Sequence, residues 1–335
     1  MDSAEAARNA LECVLEAKKN EHLVIFCDDV RADLGEAFHE GARNVGLRTN
    51  LVVLETNERI FRTDLPAQHQ RFLTMQRPDI YINLLRGVRE ETPFRIKLIH
   101  AESGDHKTRL AHCPGITIDM LTEGALALTA KEHGQMQTFA GKLMQKLEKI
   151  IEIEITNPAG TVLKFSVEDR TFFTDTKIDW KTLKWMNLPT GEVLVAPVET
   201  SLEGVLVCDM AIGGIGPLKT PFKINVKNGR VQDTRSEDPA VRKRVEESLA
   251  TDNMANVVGE FAFGINPKAR FVEEFLETEK IKGTIHIAFG DNTDYPSGKN
   301  DSTNHMDFLV SKPTVKAYKK DNTTLAILKD GIFQP

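Results

Sequence analysis

The stretch GTIHIAFGDNTDYPSGKNDSTNHMDFLV, residues 283–310, carries the pattern that decides the fold of the second half of the chain. Two apolar runs, 284–289 and 306–310, flank a loop of Gly, Asn, Asp, Ser and Pro, the residues that form turns. This pattern predicts two short strands joined by a polar loop. Because successive side chains of a strand point to opposite faces, His305 and Asp307 should project on the same side.

His286 adds a second imidazole to this pair. It lies in the first predicted strand between Ile285 and Ile287, which would face the other way. A single histidine on a strand is more often a hydrogen-bonded core or surface residue than a ligand. Two imidazoles and a carboxylate at the ends of adjacent strands, however, form a geometry that suits a metal ion.

Composition sets wide bounds on the protein. The chain has 335 residues, of which 41% are hydrophobic and 27% are charged, values typical of a soluble globular protein with two domains. The net charge is −6, and basic and acidic residues are interspersed along the sequence. This pattern gives no broad positive potential that would attract nucleic acid or an anionic membrane. No apolar run approaches the roughly 20 residues that span a bilayer, and residues 1–20 do not resemble a signal peptide. We therefore expect a cytoplasmic protein without a nucleic-acid or membrane partner.

The first half of the chain alternates between helical periodicity and short apolar runs. The predicted strands are 22–27, 49–54, 79–85 and 110–112, and the predicted helices are 3–18, 34–45, 65–75, 95–102 and 131–149. Apolar strands separated by helices indicate a parallel sheet buried on both faces. We predict an open α/β domain over residues 1–149, flavodoxin-like or Rossmann-like. It lacks a dinucleotide motif, because Cys27-Asp28-Asp29-Val30 follows the first strand in place of GxGxxG.

Sheets of this kind bind ligands outside the carboxyl ends of their strands. Arg86, Gly87 and Arg89 follow the third predicted strand. A guanidinium there could hold a substrate carboxylate, which makes Arg86 a candidate for substrate binding. A solvated basic turn explains the same residues equally well.

From residue 150 onward, the sequence pattern changes from alternating helices and strands to a series of short predicted strands. The runs IIEIEIT (150–156) and TVLKFSV (161–167) flank the turn residues NPAG and predict a hairpin. Further short strands are predicted at 192–197, 204–210, 222–226, 229–231, 260–263, 281–289 and 306–310, with helices at 240–250 and 268–277. Residues 150–335 are therefore predicted to form an α+β domain rich in antiparallel strands.

Two glutamates open strands in this domain. Glu192 begins the run EVLVAP and Glu260 the run EFAFGINP, each directly after a glycine. Taken singly, such a glutamate is usually a solvated strand end. If both met Asp307 without a counter-charge, repulsion would raise their pKa values and destabilise the fold. Two divalent cations would remove that repulsion and leave a net positive charge able to bind hydroxide.

The segments NLPTGEVLVAP, GEFAFGINPKAR, GTIHIAFGDN and NHMDF occur in this order and resemble the thermophilic-type metallo-aminopeptidases, the family related to aminopeptidase T. The resemblance covers most of residues 150–310. It implies a homodimer and a dinuclear site filled by zinc, cobalt or manganese. The implied metal ligands are Glu192, Glu260, His286, His305 and Asp307. In contrast to the family pattern, residues 280–285 contain no carboxylate, and the tyrosine after the HIAFG motif is shifted to Tyr295.

These features predict a hydrolase that removes N-terminal residues from peptides. Two ions would polarise the scissile carbonyl and lower the pKa of bound water toward ~7, while the free α-amine of the substrate occupies an open coordination position. Glu192 would pass the water proton to the leaving amine, and Tyr295 would donate to the oxyanion.

The alternative is an oxidoreductase that acts on a small molecule. His286, His305 and Asp307 also match the two-His, one-carboxylate triad of non-haem Fe(II) oxygenases. The ring-cleaving 2,5-dihydroxypyridine dioxygenase resembles these aminopeptidases in fold. If this chain binds one Fe(II) in the same way, Glu192 and Glu260 would lie outside the coordination shell of the iron.

A structural metal site in a binding protein is a third hypothesis. Such sites are closed and commonly use four ligands, which five ligands rich in carboxylate fit poorly.

Overall fold

A computed structural model describes residues 1–65, 67–104, 107–179 and 185–335, apart from the side chain of Arg89. Pro66, within the predicted helix 65–75, lies outside the described residues. The chain forms two compact units. The first comprises Met1–Thr138, Asp175–Thr190 and Pro267–Arg270, and the second comprises Phe139–Thr174, Gly191–Asn266 and Phe271–Pro335. These units are interleaved along the chain, whereas the sequence-based division at residue 149 is continuous.

Helices and strands alternate up to residue 112, and two further helices follow. In chain order the elements are α1 (Ser3–Cys13), β1 (His22–Asp28), α2 (Ala32–Val45), β2 (Arg48–Leu54), α3 (Ala67–Thr74), β3 (Ile80–Leu84), α4 (Thr92–Ser103), β4 (Arg109–His112), α5 (Ile118–Thr122) and α6 (Ala130–Lys146). Helix α1 begins where the Asp2 side chain accepts a hydrogen bond from the Glu5 amide. Helix α2 ends at Gly46, which adopts the left-handed conformation that favours glycine.

Short strands dominate from residue 150 onward. They are β5 (Ile150–Thr156), β6 (Val162–Ser166), β7 (Phe173–Thr174), β8 (Trp185–Asn187), β9 (Glu192–Val195), β10 (Glu203–Cys208), β11 (Ala211–Ile212), β12 (Gly216–Pro217), β13 (Phe222–Lys227), β14 (Arg230–Arg235), β15 (Val258–Gly264), β16 (Ile285–Gly290), β17 (His305–Val310), β18 (Thr314–Lys319), β19 (Thr324–Lys329) and β20 (Ile332–Phe333). The helices are α7 (Pro239–Leu249) and α8 (Phe275–Thr278). The helix predicted at 268–277 is thus confined to the short α8.

The first unit contains a five-stranded sheet in the order β2-β1-β3-β4-β8. Its strands pair in parallel throughout, and β1, β3 and β4 are almost fully buried. The order of the first four strands is flavodoxin-like. The predicted open α/β fold is therefore confirmed, and β8 is a fifth strand that the sequence did not predict. Among the described residues, no helix has the length and apolar character needed to cross a membrane.

The second unit contains two antiparallel sheets. One has eight strands, in the order β14-β13-β10-β6-β5-β18-β19-β20, and the other has seven, in the order β12-β11-β17-β16-β15-β9-β7. An aromatic layer lies between them: Phe165 of β6 packs against Phe261 of β15 with ring centroids 5.1 Å apart, and Phe222 of β13 lies 6.2 Å from Phe308 of β17. This arrangement confirms the predicted α+β class.

Candidate metal centre

The pairing of β16 with β17 places three predicted ligands on one face of the seven-stranded sheet. Asp307 lies opposite Ala288, and His305 lies opposite Gly290. Directly opposed residues share a face, as do residues two apart on one strand. His286, two residues before Ala288, therefore shares that face with His305 and Asp307. The small residues at 288 and 290 leave room for the imidazoles and the carboxylate.

Strands β15 and β9 bring two further carboxylates to the same face. Glu260 lies opposite Ala288, and Glu192 lies opposite Gly264. Positions 260, 262 and 264 alternate with the buried aromatics Phe261 and Phe263, which point into the core. The polar face of the sheet is thus lined by small residues between charged ones, while the opposite face is apolar.

The five side chains meet at contact distance. His286 Nε2 lies 3.2 Å from Glu260 Oε1, 3.5 Å from Glu192 Oε1 and 4.0 Å from Asp307 Oδ1. His305 Nε2 lies 3.2 Å from Glu260 Oε2 and 3.4 Å from Asp307 Oδ1. The structure therefore brings together all five residues for which the sequence predicts a role as metal ligand.

Most side chains of the cluster are buried, and the imidazole of His305 is partly exposed to solvent. Glu192, Glu260 and His286 are 4%, 3% and 1% exposed, whereas the His305 side chain is 33% exposed. Carboxylates buried this deeply need positive partners, because an unpaired buried charge is strongly destabilising.

Charge compensation shifts the pKa values of the imidazoles and of Glu260. Burial lowers the pKa of His286, but Glu192, Glu260 and Asp307 together raise that pKa to about 10. Burial would raise the pKa of Glu260, yet the two imidazoles hold it well below its usual range. When no ion is bound, protonated imidazoles would balance part of the charge of the buried carboxylates. A histidine binds a metal ion through the lone pair of its neutral imidazole, so a divalent ion would take the place of the extra proton.

Glu279 and Lys280 belong to the cluster, although the sequence pattern did not predict a role for them. They follow α8 and are 8% and 3% exposed. Lys280 Nζ donates to Glu192 Oε2 at 2.5 Å and lies 2.9 Å from Glu279 Oε1. Burial raises the pKa of Glu279. Residues 280–285 lack a carboxylate, but the acidic side chain at the site comes from the residue immediately before them.

Within the part of the chain that the structure describes, two groups of side chains have the spacing of a metal site. Glu260, His286 and Asp307 form one, and Glu192, Glu279 and His286 form the other, with ligand atoms within 4.8 Å of one another in each. His305 extends the first group through its contacts with Glu260 and Asp307. Carboxylates mixed with imidazole suit Zn²⁺, Mn²⁺, Co²⁺ or Fe²⁺. The side chains present therefore fit at least one divalent ion.

Tyr295 lies in the loop between β16 and β17. Its hydroxyl donates to Glu260 Oε2 at 2.6 Å, and its ring lies 5.3 Å from that of Phe173. The loop is anchored by Asn292, whose Nδ2 donates to the Gly259 carbonyl at 3.2 Å. Tyr295 thus supports a candidate ligand, and its role as an oxyanion donor stays a prediction.

Arg86 lies in the first unit, in an ion-pair network at the carboxyl end of the parallel sheet. Its guanidinium donates to Glu91 Oε1 at 2.5 Å and to the Asn57 carbonyl at 2.8 Å. Glu91 also pairs with Arg62 at 2.6 Å. The guanidinium of Arg86 is therefore already engaged by protein groups. Its role in substrate binding stays a prediction.

The sequence pattern of the family described as Thermophilic metalloprotease (M29) matches residues 129–333. This match covers more than half of the chain and includes every residue of the cluster. No curated protein matches the sequence.

Two solved structures resemble the protein over nearly its whole length. Wild-type AmpT from Thermus thermophilus is 16% identical with a TM-score of 0.71, and the match covers 100% of this chain and 99% of that one. The 2,5-dihydroxypyridine dioxygenase from Pseudomonas putida KT2440 is 15% identical with a TM-score of 0.71, covering 99% and 96%. At such low identity, the likeness shows a shared fold.

Proposed function

Because this chain belongs to the thermophilic metalloprotease family, we propose that it is a metal-dependent hydrolase that removes the N-terminal residue from small peptides. One observation carries the proposal. Glu192, Glu260, His286, His305 and Asp307 converge on one face of the seven-stranded sheet, within contact distance of one another. The family supports the use of a divalent metal, and we propose Zn²⁺, Mn²⁺ or Co²⁺.

The roles of the side chains follow from their positions. Glu260, His286, His305 and Asp307 would hold a divalent ion, which when bound polarises the scissile carbonyl and lowers the pKa of its water toward ~7. Glu192 lies beside His286 and would accept a proton from the water and donate it to the leaving amine.

The charge of the cluster supports recognition of a free α-amine. With one divalent ion bound and both imidazoles neutral, the four carboxylates of Glu192, Glu260, Glu279 and Asp307 still exceed the charge of the ion and of the Lys280 ammonium by about one unit. An acidic pocket attracts a cationic group and disfavours a neutral or anionic one. A protonated N-terminus of a short peptide is therefore the group that this cluster suits.

Hydrolysis of paired substrates tests the proposal. Chelator-treated protein is supplied with Zn²⁺, Mn²⁺ or Co²⁺ and assayed on aminoacyl-amides, short peptides and their N-acetylated counterparts. We expect cleavage of the free-amine substrates only. The variant His305→Ala should lose turnover while it remains folded at the assay temperature, whereas His100→Ala, at an exposed position of α4, should behave as wild type. Equal cleavage of acetylated peptides, or none with any metal, would contradict the proposal.

A ring-cleaving dioxygenase is the second candidate. His286 and His305 lie 4.0 and 3.4 Å from Asp307 Oδ1, which gives the two imidazoles and one carboxylate of a non-haem Fe(II) site. The fold likeness to 2,5-dihydroxypyridine dioxygenase fits this candidate equally well. Oxygen uptake and loss of aromatic absorbance with 2,5-dihydroxypyridine and Fe²⁺, without cleavage of any peptide, would favour it.

The proposal includes a homodimer, as the family resemblance implies. The mass of one chain is 37.5 kDa. Sedimentation equilibrium should therefore give a single species of twice that mass, and a species at the mass of one chain would exclude the dimer. The catalytic proposal does not depend on this outcome, because all five predicted ligands belong to one chain.

A further inference from the structure

A lysine ammonium lies between the two carboxylates of the second group of candidate ligands, Glu192, Glu279 and His286. We propose that Lys280 takes the place of the second ion, so that the protein binds one divalent metal, held by Glu260, His286, His305 and Asp307. This inference rests on the proposed function only in requiring a metal at the cluster. It differs from the dinuclear site that the family resemblance implies.

Lys280 contacts two carboxylates of the cluster. Its Nζ lies 2.5 Å from Glu192 Oε2 and 2.9 Å from Glu279 Oε1. Its side chain is 4% exposed. An ammonium buried this deeply requires carboxylate partners, and here it has two at hydrogen-bond distance. Lys280 is therefore a built-in cation between the two carboxylates of the second candidate group.

His286 is shared by both candidate groups. Its atom that contacts the carboxylates is Nε2, and one ring nitrogen has a single lone pair with which to bind one cation. Nε2 is nearer to Glu260, at 3.2 Å, than to Glu192, at 3.5 Å. His305 lies on the side of Glu260 as well. If His286 binds an ion together with Glu260, the group of Glu192, Glu279 and His286 is left with its two carboxylates as ligands. Both of these carboxylates contact the Lys280 ammonium.

Lys280 is held in place by its backbone. The Asn266 amide donates to the Lys280 carbonyl at 2.9 Å, and the Lys280 amide donates to the Glu277 carbonyl at 3.1 Å. The next residue, Ile281, packs closely on Gly264. A Cβ added at position 264 would lie 2.2 Å from the carbonyl oxygen of Ile281. The segment is thus fixed against β15. A second dication would have to bind beside a fixed, buried ammonium, where like charges repel.

Glu192, bound to this ammonium, remains outside the coordination shell of the metal. It is therefore placed to exchange a proton with a water on the ion, which is the role proposed for it in hydrolysis. Glu279 is the second carboxylate that contacts the Lys280 ammonium.

Metal counting tests the inference without any substrate. Chelator-stripped wild-type protein, Lys280→Ala and Lys282→Ala are titrated with Zn²⁺ and with Mn²⁺ in a calorimeter, and the loaded forms are weighed by native mass spectrometry. Lys282 lies two residues away and places its ammonium 4.8 Å from the Phe139 ring centre, which makes it the matched control. We expect about one ion per chain for wild type and Lys282→Ala, and about two for Lys280→Ala, where two carboxylates lose their ammonium partner.

Two ions per wild-type chain would overturn the inference, and so would a single ion in folded Lys280→Ala. If Lys280→Ala does not fold without metal, added Mn²⁺ should restore its folding as the ion replaces the ammonium, and the wild-type count decides in any case. Failure to cleave peptides would leave this inference intact, because the count requires no turnover. Conversely, an active enzyme with two ions would refute the inference while preserving the proposed function.

Discussion

Glu260 is the carboxylate around which the other side chains of the cluster are arranged. Its Oε1 contacts His286 Nε2 at 3.2 Å, and its Oε2 contacts His305 Nε2 at 3.2 Å and accepts the Tyr295 hydroxyl at 2.6 Å. These partners fix the orientation of a side chain that is only 3% exposed. Groups that orient a metal ligand in this way strongly influence affinity for the metal.

Removing the tyrosine hydroxyl should weaken metal binding. We expect Tyr295→Phe to lower Zn²⁺ affinity about 10-fold, because Glu260 loses a hydrogen bond that holds it in place. Tyr318→Phe is the matched control, since it removes a hydroxyl that donates to Glu154, remote from the cluster. Calorimetric titration of both variants measures the effect. Equal affinities would show that Tyr295 does not support the metal ligand.

His112, in the first unit, should make stability depend on pH. Burial, assisted by the charge of Arg95, lowers the pKa of His112 from 6.5 to about 3. The unfolded chain takes up a proton near its ordinary pKa, whereas the folded protein resists protonation until about pH 3. The free energy of unfolding should therefore fall as the pH drops from about 6.5 toward about 3, by about 1.4 kcal/mol for each unit of pKa difference.

Urea unfolding at a series of pH values checks this expectation. His112→Asn removes the titrating group and should flatten part of the acid slope. The control is His100→Asn, at an exposed position of α4, which should retain the wild-type slope. An unchanged slope in His112→Asn would contradict the assignment.

At the scale of the strand, the position of Glu260 depends on the glycine before it. The pairing of β15 with β16 shifts register between Val258 and Glu260. A Cβ at Gly259 would lie 2.4 Å from the carbonyl oxygen of Gly290, a distance that real contacts do not reach. Only glycine permits this close approach of the two strands, which present Glu260 and His286 to the same site.

Gly259→Ala should therefore lower both stability and metal affinity, because the strands must separate to admit the methyl group. Gly134→Ala is the control: it lies in α6, where an added Cβ meets nothing within 4 Å. That change should stabilise the protein by up to about 1 kcal/mol through helix propensity. Thermal unfolding and calorimetric titration measure the two effects. Wild-type metal affinity in Gly259→Ala would show that this close approach does not position the ligands.

The strand residues His305 and Asp307 could be related to each other from their spacing, whereas Glu279 and Lys280 could not be predicted from any pattern. A strand fixes the direction of every second side chain, so the spacing of His305 and Asp307 is enough to predict that they share a face. Glu279 and Lys280 lie in a loop, where no period relates sequence to direction. Strand β8 was missed for a related reason. It has three residues and pairs with β4, from which it is remote in sequence.

At the scale of the whole molecule, metal binding should be linked to stability. An ion that binds only the folded protein stabilises it by about 2.7 kcal/mol at a hundredfold excess over Kd. For a chain of 335 residues we expect the melting temperature to rise by about 4 °C with Zn²⁺ or Mn²⁺ and to fall again with a chelator. Asp307→Asn should show a smaller rise. A melting temperature that changes neither with added metal nor with chelator would argue against a metal site in this cluster.

The type of fold of each unit could be read from the sequence because alternating helices and apolar strands, or recurring short strands, are local patterns. The sequence does not show, however, which distant segments of the chain belong to the same unit. Residues 175–190 and 267–270 belong to the first unit although they follow its main segment at a distance in the chain. Such long-range assembly leaves no periodic signal in a single sequence.

A divalent ion bound between Glu260, His286, His305 and Asp307 is the feature from which the proposed chemistry follows. Anomalous diffraction at the manganese or zinc edge, from crystals grown with that metal, locates the ion directly. We predict a peak with these four side chains within about 2.0–2.4 Å. Anomalous peaks only elsewhere on the protein, or none at all from metal-loaded crystals, would contradict it.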